Sequence, residues 1–336
     1  MPNQTWRPDL ADLKSVTVLL PGNAHPQTLK RLEENFDLVR IERADPALIT
    51  EEIAARVKGI SAMTRIDAAT IDALPHLEII ANFGVGYDAV DAPHAGKSGV
   101  MVTNTPDVLT EEVADTAIAL LLNAVRELYR AEEWLRHGKW AGQGPYRLTA
   151  GTLRGRKVGI FGLGRIGKAV ARRVEAFGLP IAYHNRREVE GVSYDYYPSL
   201  VELARNVDTL ISVAPGTPET DKAVNADVLQ ALGSDGVFVN IGRGTTVDED
   251  ALARALADGT IMAAGLDVFE KEPHVPQALI DAPNATLLPH VGSATVHTRK
   301  AMADLQVDNL VSWFSRGEAV TPVPETRHVA KGARQG

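Results

Sequence analysis

The sequence predicts an α/β protein of two domains, each a parallel sheet covered by helices on both faces. Three observations carry that prediction. At 336 residues the chain exceeds the size at which a single hydrophobic core stops growing. Short apolar runs alternate with helix-like segments along most of its length, the pattern of βαβ units. A Gly-x-Gly-x-x-Gly segment also follows one apolar run and opens a helical one, where parallel-sheet domains bind anions.

In the first series, Val16–Leu20, Leu38–Ile41 and Ile79–Phe83 read as strands, with helical spacing in Pro26–Asn35 and Ala47–Val57. Thr110–Arg130 then reads as one long helix, with Thr110 as N-cap and Glu111, Glu112 and Val113 opening its first turn. Its apolar residues Val113, Ile118, Leu120, Leu121, Leu122, Val125 and Leu128 exceed one amphipathic stripe. Such a helix buries more than one face, either between the domains or against a second copy of the chain.

A second series follows at Lys157–Phe161, Pro180–His184, Thr209–Val213, Val237–Asn240 and Ala263–Val268. The last helix, Ala294–Ser315, returns to the first domain and makes it discontinuous. The expected division is therefore residues 1–104 with 291–336, and residues 105–290. No internal repeat of 20 to 50 residues is visible.

Hydrophobic residues are 45% and charged residues 23% of the chain, ordinary values for a protein that folds throughout. The formal net charge of -8 disfavours nucleic acid and anionic membrane surfaces as partners. With no cysteine, thiolate metal sites, disulfides and cysteine nucleophiles are excluded. Met1–Lys14 has no apolar leader and no run approaches the ~18 apolar residues of a membrane helix, so a cytoplasmic protein is expected.

The glycine segment is Gly162-Leu163-Gly164-Arg165-Ile166-Gly167. Its first glycine permits a tight turn, the second lets backbone approach a pyrophosphate, and the third lets the helix pack closely on its strand. A dinucleotide site follows. At the end of the next strand, where NAD sites place a carboxylate for the ribose 2′-hydroxyl, stands Asn185-Arg186-Arg187. A carboxylate would repel a 2′-phosphate, whereas an amide donor and guanidinium forks favour it, so NADPH is the expected cofactor and NADH the weaker one.

Three further segments end or follow strands: Val239-Asn240-Ile241-Gly242-Arg243-Gly244, Gly265-Leu266-Asp267-Val268-Phe269-Glu270-Lys271-Glu272-Pro273, and Leu288-Pro289-His290-Val291-Gly292-Ser293. In an open α/β sheet, ligands bind beyond the carboxyl ends of the strands, so these segments should converge. Arg243, Glu272 and His290 are the residues for chemistry. When a carbonyl carbon accepts hydride, its oxygen needs a proton, and imidazole titrates in the useful range. A neighbouring carboxylate orients the ring and favours its protonated form, and a guanidinium binds a 2-oxo acid's carboxylate and polarises its carbonyl.

The glycine fingerprint, the Asn-x-Gly-Arg-Gly segment, the Glu-Pro pair and the Pro-His-x-Gly segment together resemble the D-isomer-specific 2-hydroxyacid dehydrogenases over nearly the whole chain. The resemblance implies a flavodoxin-like substrate domain beside a Rossmann dinucleotide domain. It implies His290 as acid/base, Glu272 as its partner, Arg243 on the substrate, and Asp267 at the cofactor end of the site. It extends the cofactor contacts to Arg165, Ile166, Val213, Ala214, Pro215, Thr220, Ile241 and Gly292.

Asn82-Phe83-Gly84-Val85-Gly86-Tyr87-Asp88 follows a strand, and its glycines expose backbone amides to an anion. It resembles the family's carboxylate-binding loop, which would place Val85 and Gly86 on the substrate carboxylate. Ala62 and Met63, after an earlier short strand, are expected to line the substrate pocket. Trp140 lies where an aromatic side chain would reach a partner in a homodimer.

Within the family, Thr105-Pro106-Asp107-Val108-Leu109-Thr110 and the Asn-Arg-Arg segment look closest to NADPH-dependent glyoxylate and hydroxypyruvate reductases. Hydroxyphenylpyruvate reductases and phosphoglycerate dehydrogenases share much of the pattern, although no regulatory domain is expected after the last helix. Some relatives are nucleotide-sensing interaction proteins without turnover, a reading opposed by the joint presence of Arg243, Glu272 and His290.

Overall fold

Five strands, β1 (Thr17–Pro21), β2 (Asp37–Ile41), β3 (Val57–Ala62), β4 (Ile79–Asn82) and β5 (Met101–Thr103), form one parallel sheet in the order β2-β1-β3-β4-β5. This is the order of a flavodoxin-like sheet. They belong to a computed structural model that describes residues 13–334. Most of the Met1–Lys14 segment, read above as lacking an apolar leader, lies outside the described residues.

The chain divides into two units, one running to Leu109 and resuming at Thr295, the other spanning Thr110–Ala294. In the first, β1 and β4 are buried along their whole length, as strands covered on both faces must be. The helix Val296–Arg316 supplies Val307, Leu310 and Trp313 to one face of this sheet, packed with Val18, Leu32, Ile79 and Ala81. The Thr295 side chain caps its start through the Thr298 amide, and Gly317, at φ +78, ends it.

The second unit contains β6 (Val158–Phe161), β7 (Ile181–His184), β8 (Asp195–Tyr196), β9 (Thr209–Ser212), β10 (Val237–Asn240), β11 (Ala263–Leu266) and β12 (Ala285–Leu287). All pair in parallel in the order β12-β11-β10-β9-β6-β7-β8. Counted from its first strand, this is the doubly wound Rossmann arrangement, with its switch point between β6 and β9.

Two helices are shorter than their sequence spacing predicts. Of Ala47–Val57, only Glu51–Arg56 is α-helical: Pro46–Leu48 is a 3-10 turn, Ile49 is extended, and Val57 begins β3. The Thr50 hydroxyl restarts the helix by accepting the Ile53 amide at 3.3 Å. The long helix of the second unit covers Thr110–Arg126 and stops where Glu127 adopts φ +51, so Leu128 falls on a following helix and is exposed. Thr110 is the first helical residue rather than the cap, and its buried hydroxyl has no hydrogen-bond partner among the described residues.

The apolar breadth of Thr110–Arg126 is used inside its own unit. A Cβ on Gly265 of β11 would lie 3.1 Å from Leu120 Cβ, so the helix rests almost on the sheet backbone. It also packs against helix Arg165–Ala176, where Arg173 Nε donates to Asp115 at 2.6 Å and Arg173 Nη1 donates to Glu111 at 2.8 Å.

Candidate active site

Gly162 leaves β6 at φ +101, a conformation that favours glycine. A Cβ on Gly167 would lie 2.3 Å from the Gly162 carbonyl oxygen, so the third glycine is required by the close approach of helix Arg165–Ala176 to the turn. A Cβ on Gly164 would meet nothing within 4 Å, which leaves open space where the helix N-terminus presents its amides. No side chain caps that helix, as suits an end that receives an anion. The cradle thus fits a pyrophosphate, with Arg165 and Ile166 in its first turn.

Val213 and Ala214 complete the floor at the switch point. A Cβ on Gly162 would lie 3.0 Å from the Ala214 amide nitrogen, and one on Gly242 would lie 2.5 Å from the Ala214 carbonyl oxygen. The turn that follows is closed by Thr220, whose hydroxyl donates to the Pro215 carbonyl at 2.6 Å. After β7, Asn185 Oδ1 accepts the Leu163 amide at 2.6 Å, which ties the residue to the glycine turn and leaves its NH2 group to donate elsewhere. Arg186 and Arg187 are exposed. Arg186 helps to hold the Glu219 carboxyl below its ordinary range, after hydrogen bonds from Thr217 and the Glu219 backbone. His184 is a packing residue, its Nδ1 bonded to the Tyr197 carbonyl at 2.8 Å and its ring stacked on Phe161.

Three neighbouring strands end level with one another: Asn240 of β10 pairs with Leu266 of β11, which pairs with Leu287 of β12. The segments leaving them carry Arg243, Glu272 and His290. Asn240 shapes the first, accepting the Gly242 amide at 3.1 Å and donating to the Arg243 carbonyl at 2.9 Å. Gly244 then lies against the second, since a Cβ there would be 1.9 Å from the Phe269 carbonyl carbon.

His290 Nδ1 and Glu272 Oε2 are 2.7 Å apart, and the other oxygen, Oε1, accepts the Phe269 amide at 3.0 Å. Burial pushes the Glu272 carboxyl up, but the His290 hydrogen bond, the Phe269 amide and the charges of His290 and Arg243 outweigh it and hold it below the usual range. Nδ1 is thereby committed to the carboxylate, and Nε2 remains for proton transfer.

His290 has φ +53, a strained conformation for a residue with a side chain, costing on the order of 1 kcal/mol. Asp267, 1% exposed, holds it there. Its carbonyl accepts the His290 amide at 2.9 Å, and its two carboxylate oxygens accept the amides of Val291 at 2.7 Å and Gly292 at 2.8 Å. Burial raises the Asp267 carboxyl despite those two amides. Ile241 is buried against Gly292. Asp267, Ile241 and Gly292, expected as cofactor contacts, thus also form the support beneath His290.

In the first unit, Gly84 turns the chain after β4 at φ +143. The Gly84 carbonyl accepts the Thr105 amide at 2.8 Å, and Asn82 Nδ2 donates to the Gly86 carbonyl at 3.0 Å. The carbonyls of the turn are therefore bound inward, and the Val85 and Gly86 amides meet no acceptor among the described residues. Such successive amides form an anion nest. Of the two residues expected to line the pocket, Met63 is exposed, whereas Ala62 is wholly buried in the core of its unit and its carbonyl accepts the Phe83 amide at 2.8 Å. The roles of Asn82 and Thr105 in shaping the turn are invisible to motif reading, since both side chains bond to the main chain of Gly84 or Gly86.

A dinucleotide cradle sharing one sheet with a histidine–carboxylate pair and an arginine is the equipment of a nicotinamide-linked dehydrogenase. The comparisons agree. Residues 118–292 match the model for "D-isomer specific 2-hydroxyacid dehydrogenase, NAD binding domain", and the chain belongs to that family. It is 60% identical to an NADPH-dependent glyoxylate/hydroxypyruvate reductase from Sinorhizobium meliloti crystallised with NADP and malonate, with a TM-score of 0.91 over 93% of this chain and 98% of that one. It is 45% identical to glyoxylate/hydroxypyruvate reductase A of Arabidopsis thaliana and 49% identical to hydroxyphenylpyruvate reductase of Plectranthus scutellarioides, in each case over 93% of this chain and all of the relative.

Proposed function

We propose that the protein reduces small 2-oxo acids, glyoxylate and hydroxypyruvate first among them, to 2-hydroxy acids with NADPH. The observation that carries the reading is the 2.7 Å pairing of His290 with Glu272 on a sheet that also holds Arg243 and the glycine cradle. The Sinorhizobium and Arabidopsis relatives support the choice of substrate. Asn185-Arg186-Arg187, in place of a carboxylate after β7, supports NADPH over NADH.

The glycine turn Gly162–Gly167 would hold the pyrophosphate of NADPH, with Val213, Ala214, Pro215, Thr220 and Ile241 as further contacts and Asn185, Arg186 and Arg187 suited to a 2′-phosphate. NADPH, when bound, would supply the hydride that the carbonyl carbon accepts. His290 Nε2 delivers the proton to the carbonyl oxygen as negative charge develops there, and Glu272 orients the ring and opposes its positive charge. Arg243 would bind the substrate carboxylate and polarise the carbonyl, and the Val85 and Gly86 amides form a nest suited to a carboxylate. Met63 borders the substrate.

Initial rates with NADPH and NADH, measured on glyoxylate, hydroxypyruvate, hydroxyphenylpyruvate and 3-phosphohydroxypyruvate in turn, test the proposal. NADPH-linked turnover of the first two is expected. Preference for hydroxyphenylpyruvate would move the assignment to the activity named for the Plectranthus relative, and equal efficiency with NADH would remove the role given to Arg186.

A homodimer is part of the same reading. Leu128, Tyr129, Leu135, Trp140 and Leu148 are all at least half exposed, an apolar concentration within 21 residues that suits a partner subunit. A monomer in sedimentation at micromolar concentration would refute it, together with any role for Trp140 across the interface. Among the described residues no helix is long and apolar enough to cross a membrane. A chain without cysteine suits the cytoplasm, which cell fractionation checks.

A further inference from the structure

A chain of hydrogen bonds within the first unit links its last helix to the turn that carries Val85 and Gly86. Asn309, fully buried on helix Val296–Arg316, accepts the Val320 and Thr321 amides at 3.0 and 2.9 Å and donates from Nδ2 to Thr321 Oγ1 at 2.8 Å. Thr321 Oγ1 donates in turn to the Asn104 carbonyl at 2.6 Å, and the Thr321 carbonyl accepts the Asn104 amide at 3.3 Å. Asn104, thus gripped at both main-chain groups, donates from Nδ2 to the Val85 carbonyl at 2.8 Å.

The direction of that last bond matters because a trans peptide is planar, with its C=O and the following N–H pointing opposite ways. Fixing the Val85 carbonyl therefore aims the Gly86 amide, just as the Thr105 amide, by holding the Gly84 carbonyl at 2.8 Å, aims that of Val85. We infer that Asn104 is a positioning residue for substrate carboxylate binding, and that Thr321 and Asn309 extend its support into the segment after the last helix. The inference rests on the reading of Val85 and Gly86 as carboxylate donors. It assigns to residues more than 200 positions downstream of the turn an effect on substrate affinity.

The test compares Asn104→Ala, Thr321→Val and Val85→Pro in the full chain, using glyoxylate and its methyl ester, which lacks the carboxylate. Asn104→Ala should raise KM for glyoxylate about tenfold, with kcat changed less than about threefold and NADPH affinity unchanged, as expected for one lost hydrogen bond acting on binding. Thr321→Val should act in the same direction and more weakly. Efficiency on the ester should match the wild type. An ester efficiency that falls as far as that of glyoxylate, or a loss of NADPH affinity, would mean general disruption and overturn the inference. Val85→Pro deletes one donor outright. If it raises KM while Asn104→Ala does not, the support role alone is wrong; if it leaves KM unchanged, the carboxylate assignment fails and the inference with it.

Discussion

The amide of His290 donates to the carbonyl of Asp267 at 2.9 Å, while the Asp267 carboxylate takes the next two amides of the same turn. One buried residue therefore holds three consecutive amides around a histidine at φ +53. Asp267→Ala strands two of them and frees the turn to relax. We expect a stability loss of about 2 kcal/mol in denaturant unfolding and a kcat reduced about a hundredfold. Asp267→Asn, which keeps one acceptor oxygen, should fall between.

Gly244 joins the arginine and glutamate segments by contact rather than by hydrogen bond. A methyl group there would overlap the Phe269 main chain, with its Cβ 1.9 Å from the carbonyl carbon and 2.3 Å from the Glu270 amide nitrogen. Gly244→Ala should cost about 2–3 kcal/mol and raise KM for the 2-oxo acid by moving Arg243. Wild-type stability and kinetics in this variant would show that the two segments separate easily.

Glu272 is held below the ordinary carboxylate range, burial opposing the shift and His290, the Phe269 amide and Arg243 producing it. A carboxylate lowered in the folded state contributes stability at pH above its unfolded value, ~4.3, and loses it as the pH falls through the folded value. The pairing should thus persist below the pKa of the unfolded carboxyl before acid breaks it. Glu272→Gln should abolish that acid-side dependence and slow turnover about a hundredfold, with NADPH affinity little changed. Acid-side stability unchanged in this variant would contradict the pairing.

Arg186→Ala should weaken NADPH about 10- to 100-fold, as befits a charge-assisted phosphate contact, while KM for NADH stays within a factor of about two. Parallel losses for both cofactors would mean that Arg186 acts on something other than the 2′-phosphate.

Arg243→Lys should leave KM for glyoxylate raised about tenfold or more, because an ammonium does not reproduce a planar fork. Recovery of the wild-type KM by lysine would show that charge alone suffices.

The inner strands β1, β4, β6, β9, β10 and β11 were legible because each is buried along its whole length, whereas β5 and β8, of three and two residues, were too short to stand out; the glycine turn was legible because each glycine answers a separate steric demand. Arg243, Glu272 and His290 stood out through the segments around them. Less visible was anything set by local dihedral choice: Glu127 breaks the long helix at φ +51, and no composition signal marks that residue. Helical periodicity extended across Thr50 because apolar spacing continues through it, although its hydroxyl caps a new start. Ala62 fills the core because β3 is covered on both faces up to its last residue, and the exposed side chain after the strand is that of Met63. Asn104 and Thr321 escaped notice because their bonds run to backbone, and a polar residue after a strand reads as an ordinary turn.

The return of helix Val296–Arg316 to the first sheet also bears on how the chain is made. The second unit, contiguous from Thr110 to Ala294, has all its strands as soon as that stretch leaves the ribosome. The sheet begun first must wait, with the faces of Val18, Ile79 and Ala81 uncovered, until Trp313 and its neighbours are synthesised. Completion thus runs opposite to synthesis, and a chain halted before the last helix would display the apolar floor of its first unit to whatever chaperone or protease meets it.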